Sequence, residues 1–237
     1  MAKTIFQRHE LKYMITKEQK LRIVKAISPH MQIDEYGRTT IRNLYFDTDN
    51  YRLIRRSIEK PTYKEKLRVR SYCQTGSETI VFVELKKKFE HEVFKRRLLM
   101  PEKDAMEWLC NRNFTGEQTQ ISKEIDYFLD FYENLHPTVF LSYEREAYYT
   151  NEKSDFRITF DDNVLCREVN LSLREDVYGT PILDSNKVLM EVKCSGGIPL
   201  WMTEILSKEH IYKTSFSKYG TAYRKIIFPK LKKAGIL

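Results

Sequence analysis

The segment 63–70, YKEKLRVR, carries a cation at every second position. The four cations are Lys64, Lys66, Arg68 and Arg70. Because successive side chains of a β-strand point to opposite faces, an extended conformation puts all four on one face and Leu67 and Val69 on the other. A solvated sheet face shows the same alternation. The row indicates a binding function only if other strands repeat it.

Seven further predicted strands carry charged rows, and most of these rows combine bases with acids. They contain Arg8, Glu10 and Lys12; Arg42; Glu84, Lys86 and Lys88; Lys95 and Arg97; Tyr143 and Arg145; Arg157, Thr159 and Asp161; and Glu191 and Lys193. If helices cover the apolar faces, these rows face a wet interior, and crowded cations there require an anion because a buried unpaired charge is costly. A bound polyanion would supply it. The acids Glu10, Glu84, Asp161 and Glu191 could hold a divalent metal beside its phosphates.

The composition is that of a folded, basic chain. It has 237 residues, of which 41% are hydrophobic, and a formal net charge of +8. The charge favours a polyanionic partner, such as nucleic acid, a membrane surface or phosphorylated small molecules. The four cysteines show no CxxC spacing, which argues against a zinc site or disulfide framework and favours a reducing compartment. Without an apolar run of signal or membrane-spanning length, we expect a cytoplasmic protein.

Strand and helix patterns follow one another without a repeat or a flexible linker. Strands are predicted at 4–15, 38–47, 62–73, 78–88, 92–99, 138–149, 155–161, 164–173 and 187–194. Helices are predicted at 17–28, 50–60, 102–111 and 121–135, and over most of the chain after 199. Hairpin connections favour an antiparallel sheet that could close into a barrel, with helices outside and at its ends. We expect a single α+β domain over residues 1–237.

Nine segments, in order between residues 8 and 223, carry a family resemblance. They are RHELKY, LYFDT, YKEKLRVRSY, VFVELKKK, VFKRR, SYERE, RITFDDN, LMEVKCSG and SFSKYGTAY. Together they resemble the polyphosphate-polymerase domain of the vacuolar transporter chaperone complex, and especially its stand-alone bacterial relatives. That domain is a triphosphate tunnel metalloenzyme, whose first strand reads Glu-x-Glu-x-Lys. Here Arg8 stands in place of the first Glu.

The resemblance implies an antiparallel eight-stranded β-barrel tunnel that binds ATP with Mn²⁺ or Mg²⁺. It implies transfer of the γ-phosphate onto a growing polyphosphate chain, so ATP and polyphosphate are the expected partners and nucleic acid is not. Phosphoryl transfer needs positioning and charge neutralisation, which rows of Lys and Arg supply. The membrane modules of the eukaryotic complex have no counterpart in this sequence. Whether the protein has a membrane-protein partner therefore stays an open question.

The matching motifs also imply site residues. The expected catalytic residues are Lys66, Arg68, Lys86, Arg145 and Lys218. Further phosphate or nucleotide contacts are expected from Lys12, Arg42, Tyr45, Arg97, Arg157, Lys193 and Ser217, with Lys64, Arg70 and Lys88 nearer a tunnel mouth. Glu191 is the first choice for a metal ligand and Glu10 the second.

Two other functions remain open. The same superfamily includes triphosphatases, in which water is the acceptor, although Arg8 removes one of the paired acids that those hydrolases use for metal. A non-catalytic polyanion-binding module is the other possibility, including RNA binding, for which the aromatic residues form no recognisable stacking motif. For any single residue, a cross-strand ion pair such as Glu84 with Lys66 is the ordinary structural interpretation.

Overall fold

The computed structural model describes residues 9–90, 92–150 and 155–235. The chain divides into two compact units. Unit 1 comprises Met1–Thr40, Tyr143–Val164 and Leu183–Ser217, and unit 2 comprises Ile41–Ser142, Leu165–Ile182 and Lys218–Leu237. Arg8 and the expected strand start at residues 4–8 lie outside the described residues.

The described strands are β1 (His9–Thr16), β2 (Met31–Ile33), β3 (Thr39–Asp47), β4 (Tyr63–Ser71), β5 (Ile80–Phe89), β6 (Glu92–Pro101), β7 (His136–Thr150), β8 (Arg157–Arg167), β9 (Thr180–Pro181), β10 (Lys187–Cys194) and β11 (Lys213–Thr214). The helices are α1 (Lys17–Ile27), α2 (Arg52–Ile58), α3 (Glu102–Asn111), α4 (Gln120–Tyr132), α5 (Leu200–Lys208), α6 (Lys218–Ala222) and α7 (Phe228–Lys233), with a π-helical turn at Tyr223–Ile227. Eight of these strands have eight or more residues, and the other three have two or three.

In unit 2 the strand order is β7-β3-β4-β5-β6, and the neighbours from β3 to β6 pair antiparallel. The apolar face of these strands is buried against α3 and α4. Its core includes Leu67, Val69, Val81, Val83 and Leu85 from the strands and Trp108, Ile125 and Phe128 from the helices. The alternate residues of β4 and β5, which are mainly charged, therefore lie on the face that these helices do not cover.

In unit 1 the order is β11-β1-β10-β8-β7. Its separate core includes Tyr13, Ile15, Ile158, Phe160, Met190 and Val192 from the strands and Ile23, Ile27 and Met202 from α1 and α5. The first helix begins as the sequence predicts, because Thr16 and Gln19 form a reciprocal capping box. In both units, helices cover the apolar face of the strands and not the charged face.

The expected strands at 155–161 and 164–173 are one strand, β8, which ends at Arg167. The run Asp161-Asp162-Asn163 resembles a turn in sequence, and Asn163 does adopt a left-handed backbone with φ of 45°. The strand continues because both acids are paired inside unit 1, Asp161 with Arg145 and Asp162 with Arg38. Residues 168–173 leave the strand as a loop. Among the described residues, no helix is long and apolar enough to cross a bilayer.

Candidate functional site

A single buried carboxylate organises the charged face of unit 2. Glu84 on β5 has a side chain only 1% exposed. Its Oε2 accepts hydrogen bonds from Arg68 Nε at 2.9 Å and Nη2 at 2.7 Å, and its Oε1 accepts from Arg97 Nε at 2.9 Å and Nη2 at 2.6 Å. Lys95 Nζ lies 2.7 Å from Oε1, and Arg70 Nε lies 3.8 Å from Oε2. These five residues are called the Glu84 cluster below.

Cations outnumber the acid four to one in the Glu84 cluster. Burial by itself opposes ionisation of Glu84, but the charges of Arg68, Arg70 and Lys95 outweigh it and hold the pKa of Glu84 well below its usual range. The carboxylate is therefore ionised at any physiological pH. It fixes the directions of the guanidinium groups and leaves the cluster with an excess of positive charge.

Three lysines lie directly opposite one another on β4, β5 and β6, and one of them, Lys95, belongs to the Glu84 cluster. Lys66 on β4 pairs in register with Lys86 on β5, and Lys86 pairs with Lys95 on β6. Burial, together with the nearby charges of Arg70 and Arg97, lowers the pKa of Lys95 to about 7, although Glu84 opposes this shift. Like charges facing each other across strands destabilise a sheet. The row has the chemistry to bind an anion with several charges, and this role stays a prediction.

Neutral side chains also contact the guanidinium groups of the Glu84 cluster. The Tyr45 hydroxyl accepts a hydrogen bond of 2.9 Å from Arg68 Nη1. Arg70 Nε donates to Asn43 Oδ1 at 3.0 Å, and the guanidinium of Arg97 lies 4.5 Å from the ring centroid of Phe82. Such fixed guanidinium groups bind phosphate without first being ordered.

Unit 1 carries a second charged group on β1 and β10. The Lys12 ammonium lies 3.3 Å from Glu10 Oε1 and 3.6 Å from Glu191 Oε1, and it donates a 2.9 Å hydrogen bond to the Phe216 carbonyl. Lys193 Nζ lies 2.9 Å from Glu191 Oε2. One cation thus lies between the two carboxylates that the sequence predicts as metal ligands.

Asp161 fixes Arg145 within the same unit. Its carboxylate is fully buried and accepts two hydrogen bonds of 2.6 Å, from Arg145 Nε and Nη2. Burial of Arg145 opposes its charge, but Asp161 outweighs this and raises the pKa of Arg145 well above its usual value. Arg145 Nη2 also lies 3.6 Å from Glu191 Oε2. Because both oxygens of Asp161 bind Arg145, Asp161 orients this arginine and is poorly placed to bind a metal.

Two acids of unit 1 have the chemistry of a magnesium or manganese site that is completed by substrate. The described residues contain no group of three Asp, Glu, His or Cys side chains that could hold a metal by themselves. Glu10 and Glu191 nevertheless both contact a cation, the Lys12 ammonium. Mg²⁺ commonly binds through one or two carboxylates together with substrate phosphates. The pair fits such an ion, and its metal role stays a prediction.

The model of the VTC domain family matches residues 7–227. The chain belongs to the VTC domain family. The matched range contains both charged groups and every predicted site residue, from Glu10 to Lys218. None of the curated proteins matches this VTC domain.

The VTC domain is similar to solved structures of other proteins. One is a protein from Bacillus halodurans, provisionally described as an adenylate cyclase, with a TM-score of 0.55, 18% identity, and coverage of 92% of this chain and 96% of that chain. Another, from Vibrio parahaemolyticus and described likewise, has a TM-score of 0.49, 13% identity, and coverage of 92% and 98%. At such identity the first likeness concerns the fold alone. It confirms the expected α+β tunnel fold with an antiparallel sheet.

The VTC domain brings most predicted site residues onto its two charged faces. In unit 2 one face carries Tyr45, Lys64, Lys66, Arg68, Arg70, Lys86, Lys88 and Arg97. In unit 1 the registers place Glu10, Lys12, Arg157, Glu191 and Lys193 on one face. Arg70 was expected near a tunnel mouth, but it is only 6% exposed and belongs to the Glu84 cluster. Ser217 ends the last segment of unit 1, and Lys218 begins α6 in unit 2.

Arg42 is the exception among the predicted phosphate contacts. The register of β3 pairs Arg42 with Ser71 and Asn43 with Arg70. Arg42 therefore shares its face with Leu44 and Phe46, which belong to the helix-covered core, and not with the Arg68 row. Conversely, Lys95 was left out of the predicted site residues, although the sequence places it in one charged row with Arg97.

Proposed function

We propose that this VTC domain is a polyphosphate polymerase, which transfers the γ-phosphate of ATP onto a growing polyphosphate chain in the presence of Mn²⁺ or Mg²⁺. The observation that supports this most is the row of Lys66, Lys86 and Lys95, which shares Lys95 with the cation-rich Glu84 cluster. A linear polyanion would neutralise both at once. ATP and polyphosphate are therefore the proposed ligands, and the cytoplasm is the proposed compartment.

The arginines of unit 2 would bind and orient the triphosphate. Arg68 and Arg97 are held by Glu84 through Nε and Nη2, so their geometry is set before any ligand arrives. Arginine binds phosphate oxygens through paired donors, which fixes direction as well as charge. Lys66 and Lys86 would neutralise the phosphates of the chain as point charges. This division suits phosphoryl transfer, in which positioning and electrostatic stabilisation provide most of the catalysis.

In unit 1, Glu191 and Glu10 would hold the divalent metal, and Lys12, Arg145, Arg157 and Lys193 would bind phosphate oxygens. A bound metal would supply neutralisation of the charge that develops on the transferred phosphoryl group. Asp161 would keep the Arg145 guanidinium in the orientation that the structure shows.

Incubation of the protein with ATP and Mn²⁺, followed by a gel stained for long polyphosphate, tests the proposal. A polymerase gives a ladder of polymer and ADP. A triphosphatase gives ADP and orthophosphate without polymer, and a polyanion-binding module leaves ATP intact. Either of the last two results would exclude the polymerase activity proposed here.

Lys66→Ala is expected to weaken the binding of inorganic tripolyphosphate at least about tenfold, because each charge-assisted contact contributes about 1.5–3 kcal/mol. The apo protein should melt at the same temperature or slightly higher, since a like charge opposite Lys86 is removed. Calorimetric titration and thermal melting measure the two effects. Lys87→Ala is the matched control, because Lys87 points to the opposite face of β5 and pairs with Glu124 at 3.5 Å. Equal losses of affinity in both variants would contradict a binding role for the row.

Lys95 is expected to make tripolyphosphate binding depend on pH near neutrality. With its pKa lowered to about 7, the free protein loses this charge as the pH rises through 7, so affinity should fall between pH 6 and 8. Binding at pH 8 should then take up protons, because a polyanion favours the charged amine. Lys95→Arg keeps the charge throughout this range. Subtracting the pH profile of affinity of Lys95→Arg from that of the wild type removes the effect of the ligand's own titration. Parallel pH profiles of the two proteins would show that Lys95 does not contribute.

A further inference from the structure

A buried hydrogen-bond network in unit 2 joins the end of β3 to α6. Asp47 is fully buried, and its carboxylate accepts hydrogen bonds from the backbone N–H groups of Leu53 at 2.8 Å and Ile54 at 3.0 Å, at the start of α2. The Tyr219 hydroxyl donates to Asp47 Oδ2 at 2.9 Å. Tyr219 is itself buried, and burial raises the pKa of its hydroxyl well above the usual value, so it remains a donor.

The same tyrosine also contacts the wall of the candidate phosphate site. Its ring packs against Tyr45 with 4.8 Å between the ring centroids. On its other side, Tyr45 accepts the hydrogen bond from Arg68, which belongs to the Glu84 cluster. Thr138 adds a contact of 3.2 Å between its hydroxyl and that of Tyr219. Tyr219 thus connects Asp47, at the end of β3, with Tyr45 and the fixed guanidinium of Arg68.

Lys218 directly precedes Tyr219 and is the first residue of α6, which continues without a break into the π-helical turn and α7. The backbone N–H groups of the first turn of a helix have no partner within the helix, so the position of this turn depends on tertiary contacts. We propose that Asp47 and Tyr219 are positioning residues, which hold the start of α6 so that Lys218 contacts the phosphate chain. This inference rests on the proposed function, because it assumes that Lys218 binds phosphate.

A double-mutant cycle of Tyr219→Phe and Lys218→Ala distinguishes positioning from general stabilisation. Tyr219→Phe keeps the ring on Tyr45 and removes only the hydroxyl. We expect kcat for polymer synthesis to fall about tenfold with KM for ATP changed less than about twofold, as for an interaction that acts in the transition state. In the Lys218→Ala background, Tyr219→Phe should have little further effect, because coupled residues are not additive. Hydrogen exchange at residues 218–222 should increase in Tyr219→Phe.

Tyr132→Phe is the matched control. Tyr132 is also buried and also donates to a carboxylate, Glu65 Oε1 at 3.0 Å, but it lies on α4 within the apolar core. It should leave kcat and the exchange of residues 218–222 unchanged. Additive effects of Tyr219→Phe and Lys218→Ala would overturn the proposal, as would a loss of kcat in Tyr132→Phe equal to that in Tyr219→Phe.

Two further experiments apply if Tyr219→Phe does not fold or if the wild-type protein makes no polymer. If Tyr219→Phe does not fold, Thr138→Val removes the second hydroxyl contact to Tyr219, and the same non-additivity with Lys218→Ala is required. If the wild-type protein makes no polymer, the proposed function fails by itself. The cycle is then measured on the affinity for inorganic tripolyphosphate, where additive losses would overturn the positioning role and coupled losses would support it.

Discussion

Glu84→Gln is expected to lower the free energy of unfolding by about 3–5 kcal/mol, the range observed when one partner of a buried ion pair is removed. Glu84 is the only acid of its cluster, and Arg68, Arg97 and Lys95 all lie within 2.9 Å of its oxygens. The neutral amide leaves these cations without their shared counter-charge, and its NH₂ group is a donor facing donors. Chemical denaturation of the variant and the wild-type protein measures the difference.

Glu78→Gln is the control for this prediction. Glu78 also forms an ion pair, with Lys103 at 2.8 Å, but its side chain is 69% exposed. Solvent screens an ion pair this exposed, so Glu78→Gln should be nearly neutral. Inorganic tripolyphosphate should raise the melting temperature of Glu84→Gln more than that of the wild type, because the ligand replaces the missing negative charge. Equal stability of Glu84→Gln and Glu78→Gln would show that the cluster does not need its carboxylate.

The same carboxylate predicts a pH dependence of stability. The folded-state pKa of Glu84 is lowered relative to the unfolded chain, so the folded state holds fewer protons below the unfolded pKa. Its stabilising contribution is therefore complete above an unfolded pKa of about 4.3 and is lost as the pH falls towards the folded value. Glu84→Gln removes this component of acid denaturation, and Glu78→Gln leaves it in place.

The two faces of the strands could be predicted from sequence because alternation is a local property. In β4 and β5 the charged residues alternate with Leu67, Val69, Val83 and Leu85, and the structure buries all four of these completely. Seven of the eight long strands and the start of α1 follow from equally local patterns. The cations of neighbouring strands lie opposite one another because hairpin connections fix the register of β4, β5 and β6.

Long-range placement could not be predicted in the same way. The pattern of β3 does not say which of its faces continues the Arg68 row, and the register with β4 puts Asn43 there in place of Arg42. Asp47 and Tyr219 are separated by 172 residues, and no spacing rule relates them. Convergence of Arg68 and Arg97 on Glu84 likewise depends on side-chain length and burial, which alternation alone does not specify.

Three consecutive polar residues caused the wrong prediction of two strands in place of β8. Asp161, Asp162 and Asn163 favour a turn when each is considered with its sequence neighbours. In the fold, Asp161 gains Arg145 from β7, and Asp162 gains Arg38 from the same unit. These tertiary ion pairs override the local preference, and the strand continues to Arg167. Strand boundaries are therefore hard to predict from sequence where charged residues of a strand form tertiary ion pairs.

Glu191→Gln is expected to reduce Mn²⁺-dependent polymer synthesis by about 100-fold or more, the loss typical of removing a group that stabilises charge in the transition state. The amide keeps the size and one acceptor oxygen but lacks the charge that a divalent ion requires. Metal-free binding of tripolyphosphate should hold or tighten, because a negative charge near Lys12 and Lys193 is removed. Activity against Mn²⁺ concentration and metal-free calorimetry measure the two effects on one variant.

Stability separates this metal role from a purely structural one. Glu191 is 6% exposed and contacts Lys12, Lys193 and Arg145, so a structural acid would cost about 3–5 kcal/mol of unfolding free energy when neutralised. Glu146→Gln is the matched control, since Glu146 pairs with Lys20 and Arg38 in the same unit but was not predicted to bind metal. It should keep its response to Mn²⁺. Full turnover in Glu191→Gln would remove this residue from the metal site and leave Glu10 as the candidate, because both carboxylates contact the Lys12 ammonium.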